Sequence, residues 1–281
     1  MKPALRIATC RPLPEPDPDE PALLSALERA GIEARLCPWR GGDEDWDQPV
    51  PTLVRSTWDY IQDVAAFEAW IQRVERAAPL WNPGPLMRGN LHKRYLIELA
   101  ATGLPVVPTR LLRRGEKPDL AALLEETGWR RFVIKPAVGA GSWSTERYGA
   151  EQLPAAQAHA AALAAERDLL VQPYLESVEG HGERALVVID GELSHAVRKS
   201  PRFVGMAESV RAAPIEPAEA EFARALLERL PPLLYGRVDL APGPDGRPLL
   251  MELELVEPSL FLRQHPPALE RLVAGLRRRL R

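Results

Sequence analysis

The stretch RVDLAPGPDGRPLLMELEL, residues 237–255, constrains this chain more than any other. Its turn residues, Pro244-Asp245-Gly246, lie between two β-prone runs, so it reads as a hairpin. Asp239 lies near the end of the first strand, and Glu252 and Glu254 lie two apart on the second. Period two puts both glutamates on one face. Their neighbours Leu249, Leu250, Met251, Leu253, Leu255 and Val256 are apolar, which argues that at least one face is buried. Buried carboxylates need cations. Three carboxylates converging across a hairpin make a hard-oxygen site of the kind Mg²⁺ takes. The rival is a solvated Glu-Leu-Glu face.

Composition adds a second signal. Of 36 Lys and Arg residues, only Lys2, Lys93, Lys117, Lys135 and Lys199 are lysines. Where arginine is so favoured, a surviving lysine is informative. A compact ammonium grips phosphate in a way a planar guanidinium replaces poorly. Lys2 and Lys117 sit in polar surroundings and read as ordinary surface residues. Lys135 ends an apolar strand just before the loop PAVGAGS, 136–142. Such a loop can fold its N–H groups over phosphates. It is not a Gly-Lys-Ser/Thr phosphate loop, and no GxGxxG follows the first strand. A plain turn with a snorkelling lysine is the alternative.

The rest of the chain reads as α/β. Strands over 4–9, 32–36 and 52–55 alternate with helices over 21–30 and 64–78, which predicts a parallel layer. The turn cluster WNPGP, 81–85, marks a boundary. Beyond it the pattern predicts a helix over 91–101 carrying Lys93, a strand over 106–112, and a helix near 119–126. Strands follow at 132–135, 145–148 and 169–173, with an alanine-rich helix at 153–165. Strands at 185–190 and 192–198 flank the hairpin signal Asp190-Gly191. Helices over 217–229 and 268–280 bracket the acidic hairpin. A net charge of −3 argues against nucleic acid as a partner. No run approaches the ~20 apolar residues of a membrane helix. Cys10 and Cys37 are too few for a disulfide framework or a thiolate metal site, and the five histidines show no HExxH pair. A soluble, cytoplasmic protein is expected, with self-association left open.

Lys93 in NLHKRYL, Lys135 before its glycine loop, VQPYL (171–175), GRVDL (236–240) and MELELVEP (251–258) together resemble the ATP-grasp superfamily of carboxylate–amine ligases. The resemblance spans roughly residues 88–260. It implies an amino-terminal parallel α/β domain, 1–87, followed by a two-lobed ATP-grasp domain, 88–281, with a mobile lid over about 106–170. It implies ATP contacts at Lys93, Lys135, Gly139, Gly141, Ser142, Gln172, Tyr174, Leu175 and Glu183, with adenine received by the hinge strand through backbone groups. Lys199 would face the triphosphate, and Arg237 would stabilise the oxyanion. Asp239, Glu252 and Glu254 would hold two Mg²⁺ ions, with Mn²⁺ as a substitute and no structural zinc. Glu254 stands where related ligases place Asn, so Glu254 and Glu257 both remain candidates for the second carboxylate ligand. The segment SVEGHGERALVVIDGELSHAVRKSP, 177–201, is similar to glutathione synthetases. Through Gly182-Glu183, Ser194–Val197 and RSTWDY (55–60) it is more similar to the O-ureidoserine cyclo-ligases of cycloserine formation.

The implied reaction is phosphorylation of a substrate carboxylate by ATP, then attack by an amine-type nitrogen, with ring closure on one small molecule as one form. An amino-acid ligase acting on peptide ends and a non-catalytic ATP-binding regulator are the alternatives. On the substrate side, Arg55 is suited to a carboxylate and Asp59 to an amine. Equally, Ser56, Thr57 or Asp59 reads as a helix cap, with Trp58 and Tyr60 as packing. Asp17, Asp19 and Glu20 in the 11–21 loop read as solvated acids and a helix cap, or as an ammonium site. The tail RRRLR, 277–281, reads as a helix end complementing its dipole.

Overall fold

The computed structural model describes residues 5–141, 143–200 and 209–281. Ser142, expected in the phosphate loop, lies outside them. The first layer comprises β1 (Leu5–Thr9), α1 (Glu20–Arg29), β2 (Ala34–Pro38), β3 (Thr52–Val54), α2 (Val64–Ala77) and β4 (Leu80–Trp81). Its strands are all parallel, in the order β2-β1-β3-β4. Phe67, Trp70, Ile71 and Val74 recur at helical spacing and are the buried face of α2. They pack with Trp39, Trp46 and Tyr60. Asp63 caps the helix, accepting from the Ala66 N–H at 3.0 Å.

The turn cluster at WNPGP is a two-residue link, Asn82 and Pro83, between a strand and a helix. Trp81 ends β4, and α3 (Gly84–Leu91) begins two residues after Asn82. Pro85 falls in its first turn, where no N–H is required. The single helix expected over 91–101 is interrupted: α3 ends at Leu91 and α4 spans Tyr95–Ala101. Two hydrogen bonds, one to a distant residue and one local, accompany the break. The Lys93 N–H donates to the Ala137 carbonyl at 2.7 Å, and the Arg94 N–H donates to His92 Nδ1 at 3.1 Å. Lys93 therefore sits in a turn tied to the glycine loop.

A second sheet follows: β5 (Arg110–Leu112), α5 (Leu120–Thr127), β6 (Arg131–Pro136), β7 (Glu146–Gly149), α6 (Leu153–Ala164) and β8 (Leu169–Pro173). Its strands are antiparallel, in the order β5-β8-β6-β7. The strand expected over 106–112 is shorter, because Val106 instead bridges to Leu250 in the third sheet. Ala156, Ala160 and Ala164 let α6 lie closely on Phe132, Ile134 and Val171.

The third unit comprises α7 (Ser177–Gly180), β9 (Glu183–Ile189), β10 (Glu192–Lys199), β11 (Val210–Ala213), α8 (Pro217–Leu227), β12 (Tyr235–Pro242), β13 (Pro248–Glu254) and α9 (Pro266–Arg279). The sheet runs β11-β10-β9-β12-β13, antiparallel throughout. Asp190 and Gly191 both have positive φ, 56° and 80°, as an Asp-Gly hairpin requires. Arg278 and Arg279, at the end of α9, both pair with Asp190. Arg184 on β9 forms a two-pronged pair with Glu219 of α8, at 2.7 and 2.9 Å, and both side chains are buried. Leu272, Val273 and Leu276 of α9 share a core with Leu23 and Leu27 of α1 and with Leu5 and Ile7 of β1. Among the described residues, no helix is long and apolar enough to cross a membrane.

Candidate active site

The acidic hairpin forms as expected, with one refinement. Asp239 pairs with Glu252 and Arg237 with Glu254 across β12 and β13. Leu240 then pairs with Leu250, so Met251 is an inserted bulge residue. Bulges re-aim side chains, and this one lies directly beside the two facing acids.

Four cations from four places meet these acids. Lys135, at the end of β6, lies 2.6 Å from Glu252. Lys93 lies 3.9 Å from Glu252 and donates to the Gly139 carbonyl at 2.7 Å. Lys199, at the end of β10, lies 2.8 Å from Asp239 and 3.0 Å from Glu183. Arg237 grips Asp239 at 2.8 and 2.9 Å and also pairs with Glu254. Lys117 is exposed.

The three carboxylates lie along one hairpin, but their side chains do not converge on one another here. Each acid is turned onto a cation, and among the described residues no three His, Cys, Asp or Glu side chains are grouped to hold a metal ion. The reason is electrostatic: close like charges in a buried setting repel, and interleaved cations relieve them. Burial would raise Asp239, but Arg237 and Lys199 overcome it and hold its carboxyl at about 2. Burial likewise opposes Glu252, but Lys135 and Lys93 hold it at about 2. Glu254 shifts upward through burial, with Arg237 opposing and Asp239 and Glu252 adding to the rise. Glu257 rises furthest, to about 8, through burial and the nearby Glu254, while its side chain hydrogen-bonds Tyr60. Its carboxyl is thus largely neutral at pH 7.

The segment Gln172–Leu175 is tightly engaged. Gln172 donates to the Thr109 hydroxyl at 2.8 Å, and the Tyr174 N–H donates to the Arg131 carbonyl at 2.9 Å. The Arg131 and Arg147 guanidiniums each lie 4.7 Å from the centre of the Tyr174 ring. Leu175 is buried with Val107, Val178 and Ala241. Gly141 has φ 60°, and Gly139 lies beside Lys93. Gly182 has φ 76°, and a Cβ there would meet the Lys199 carbonyl oxygen at 2.6 Å, so only glycine lets this turn reach the end of β10.

The first-layer residues depart from both expectations. Asp59 accepts from Trp39 Nε1 at 2.5 Å and Arg40 Nε at 2.9 Å, so it is already satisfied within its own layer rather than awaiting an amine. No side chain caps the short 3₁₀ turn at Trp58–Gln62, and Asp63 caps the helix beyond it. Asp17 and Asp19 are not solvated. Both are buried; Asp17 lies 4.0 Å from Arg55, and Asp19 accepts from the Arg263 N–H at 3.3 Å. Asp59→Ala should therefore cost about 1–3 kcal/mol of stability and leave ligation measurable in the folded variant. Denaturant melts beside turnover check this, and a stable but dead variant would restore Asp59 to the substrate.

Arg55 and Trp58 instead reach across to the segment after β13. From Leu255 to Leu260, six consecutive backbone carbonyls each lie against a side-chain donor. The partners in turn are Asn82 (2.9 Å), the Tyr235 hydroxyl (2.8 Å), Trp58 (3.2 Å), Arg55 (2.9 Å), Arg237 (3.2 Å) and His195 (3.1 Å). A buried irregular segment must have its carbonyls met somehow. Here side chains from all along the chain supply the donors, holding the segment as a strap beside the acids. Sequence reasoning missed Asn82 and Tyr235 altogether, since nothing local marks a residue that serves a distant carbonyl.

Comparison with known proteins agrees with this geometry. Residues 5–82 match the family described as the N-terminal domain of the D-cycloserine synthetase DcsG. The cycloserine biosynthesis protein DcsG of Streptomyces lavendulae is 36% identical over 287 residues, covering 94% of this chain and 95% of that protein. The crystal structure of D-cycloserine synthetase DcsG superposes with a TM-score of 0.90 at 35% identity, covering 99% of each chain. An ATP-grasp protein of the RimK type from Sphaerobacter thermophilus shares the fold at a TM-score of 0.71 and 21% identity, covering 96% of this chain and 97% of that one. The architecture is therefore ATP-grasp, and the protein is an ATP-dependent carboxylate–amine ligase of a class that uses Mg²⁺. Identity above one third, sustained over nearly the full length of both proteins, places the chain in the DcsG family of ATP-grasp ligases.

Proposed function

We propose that this ligase activates the carboxylate of a small amino-acid-like substrate and closes it onto a nitrogen of the same molecule, as the name of its relative, D-cycloserine synthetase, suggests. The observation that carries the site assignment is the meeting of Lys93, Lys135, Lys199 and Arg237 on the acidic hairpin. Three of the chain's five lysines stand there, on three different segments. Asp239 and Glu252 face each other across paired strands, and hard carboxylate oxygens are the donor set Mg²⁺ takes. They, with Glu254, would hold two ions, which supply charge neutralisation for phosphoryl transfer. Glu254 is preferred over Glu257 because it shares the strand face with Glu252, whereas Glu257 turns to Tyr60.

Lys93, Lys135 and Lys199 bind and orient the phosphates, and Gly139, Gly141 and Glu183 line the same space. Backbone groups of Gln172–Leu175 take the adenine. Arg237 meets the charge that develops on the carbonyl oxygen during attack. Residues 1–87 serve the substrate, 88–281 form the ATP-grasp unit, and the sheet within about 106–170 closes to exclude water from the activated carboxyl. Arg55 serves this site by holding the strap.

Two measurements test this. Lys135→Ala should weaken binding of a non-hydrolysable ATP analogue at least about tenfold, the scale of one lost charge-assisted contact, while Lys117→Ala should not. Equal affinities in calorimetric titration would remove Lys135 from the site. Phosphate release from ATP should be stimulated by O-ureidoserine and not by pools of standard amino acids. Stimulation by paired amino acids or a peptide instead would sink ring closure and favour intermolecular ligation.

A further inference from the structure

His195 takes no part in the acid–lysine cluster, yet it holds the piece of backbone on which Arg237 rests. Arg237 donates to the Ser259 carbonyl at 3.2 Å, and its guanidinium carbon lies 5.6 Å from the centre of the Phe261 ring. The residue between those two contacts is Leu260, whose carbonyl lies 3.1 Å from His195 Nε2. A carbonyl only accepts, so Nε2 carries the hydrogen. Nδ1 is left to accept from the Ser194 hydroxyl at 3.2 Å. The ring is buried and stacks on His265, centres 5.0 Å apart. Burial, with His265 adding, lowers its pKa to about 4, so this neutral tautomer persists at pH 7. Phe261 sits at φ 50°, a left-handed conformation that a bulky residue adopts only when its surroundings impose it. The His195 bond is made to the carbonyl directly before this residue.

We propose that His195 is a positioning residue for Arg237: its Nε2–H fixes the Leu260 carbonyl, and so fixes the Ser259 and Phe261 contacts that aim the guanidinium. This rests on the role given to Arg237 above. Lys93 and Lys135 lie on other segments, and Lys199, though it shares β10 with His195, is held by Asp239 and Glu183 rather than by the strap, so the loss of His195 should act on the chemical step and not on nucleotide affinity.

The test uses the full chain with ATP, Mg²⁺ and O-ureidoserine. His195→Phe keeps the flat ring and the stacking but removes the donor. It should lower kcat by about 10²-fold, the scale of a reacting group misplaced by about 1 Å, with KM for ATP changed less than about twofold. His195→Gln places an amide N–H near the Nε2 position and should restore kcat to within about threefold of the parent. A folded His195→Phe with parental kcat overturns the proposal, as does an equal loss in His195→Gln. If His195→Phe does not fold, His195→Gln is set against His195→Asn, whose amide is too short to reach Leu260. An Asn variant as active as the Gln variant then overturns it. Arg237→Lys separates the two claims. Parental turnover there would remove Arg237 from the chemistry, whereas a dead Arg237→Lys beside an active His195→Phe would sink the positioning role alone. A crystal structure of His195→Gln or His195→Phe needs no substrate: a displaced Arg237 guanidinium is expected in the Phe variant and a parental one in the Gln variant. An unmoved guanidinium in the Phe variant counts against the proposal.

Discussion

Glu252→Gln is expected to lower ligase turnover by about 10²–10³-fold, the usual cost of removing one preorganised electrostatic partner from a reacting centre. The substitution keeps size and shape, and glutamine can still accept from Lys135, which lies 2.6 Å from the native carboxylate. What is lost is the negative charge opposite Asp239. The loss should therefore fall on kcat, with circular dichroism and the melting midpoint near those of the parent. Glu254→Asn is the contrast. Arg237 keeps its two-pronged hold on Asp239 and its bond to Ser259 in that variant, so substantial activity should remain. Glu257→Gln should be milder still, because its carboxyl is already largely neutral. A dead Glu257→Gln beside a fully active Glu254→Ala would show that the second carboxylate ligand has been placed three residues too early.

The second large effect is on stability. Glu219→Ala leaves Arg184 buried without its anion, which should cost about 3–5 kcal/mol. The same carboxylate also accepts from the Glu216 N–H at 3.0 Å, so the start of α8 loses its capping box with it. Urea unfolding should show a lower midpoint with an unchanged slope. Replacing both partners, Arg184→Met with Glu219→Leu, should recover most of the loss, since no uncompensated charge then remains. A double variant no more stable than Glu219→Ala would show that the pair does more than neutralise itself.

Features with a local rule were legible in the sequence. Period two and a Pro-Asp-Gly turn were enough to name the hairpin and to put Glu252 and Glu254 on one face, whereas the Met251 bulge that sets Asp239 opposite Glu252 has no local signal. Asp190-Gly191 named its own hairpin, and the spacing of Phe67, Trp70, Ile71 and Val74 named the buried face of α2. The illegible parts were decided by distant partners. No residue within 91–101 says that the Lys93 N–H will be taken by Ala137, yet that bond accompanies the break between α3 and α4. Asp59 beside Trp58 looked like a cap or an amine ligand, because Trp39 and Arg40 lie about twenty residues away. The tail RRRLR follows the local rule of a dipole complement, but its specific partner, Asp190, lies nearly ninety residues upstream. The strap is the extreme case. Its chemistry is in backbone carbonyls, which look the same at every residue, and its donors run from Arg55 to Arg237.

The packing of α9 on α1 has a consequence for the order in which the chain can mature. Leu23 and Leu27 are covered by Leu272, Val273 and Leu276, which are made some 245 residues later. During synthesis at about 5–20 residues per second, the first parallel layer leaves the ribosome with this apolar stripe bare. It stays so for roughly 12–50 seconds at that rate, until α9 arrives. A nascent chain halted before Pro266 should accordingly bind chaperones through α1 and resist protease poorly in its first eighty residues. A chain extended past Arg279 should lose both properties together.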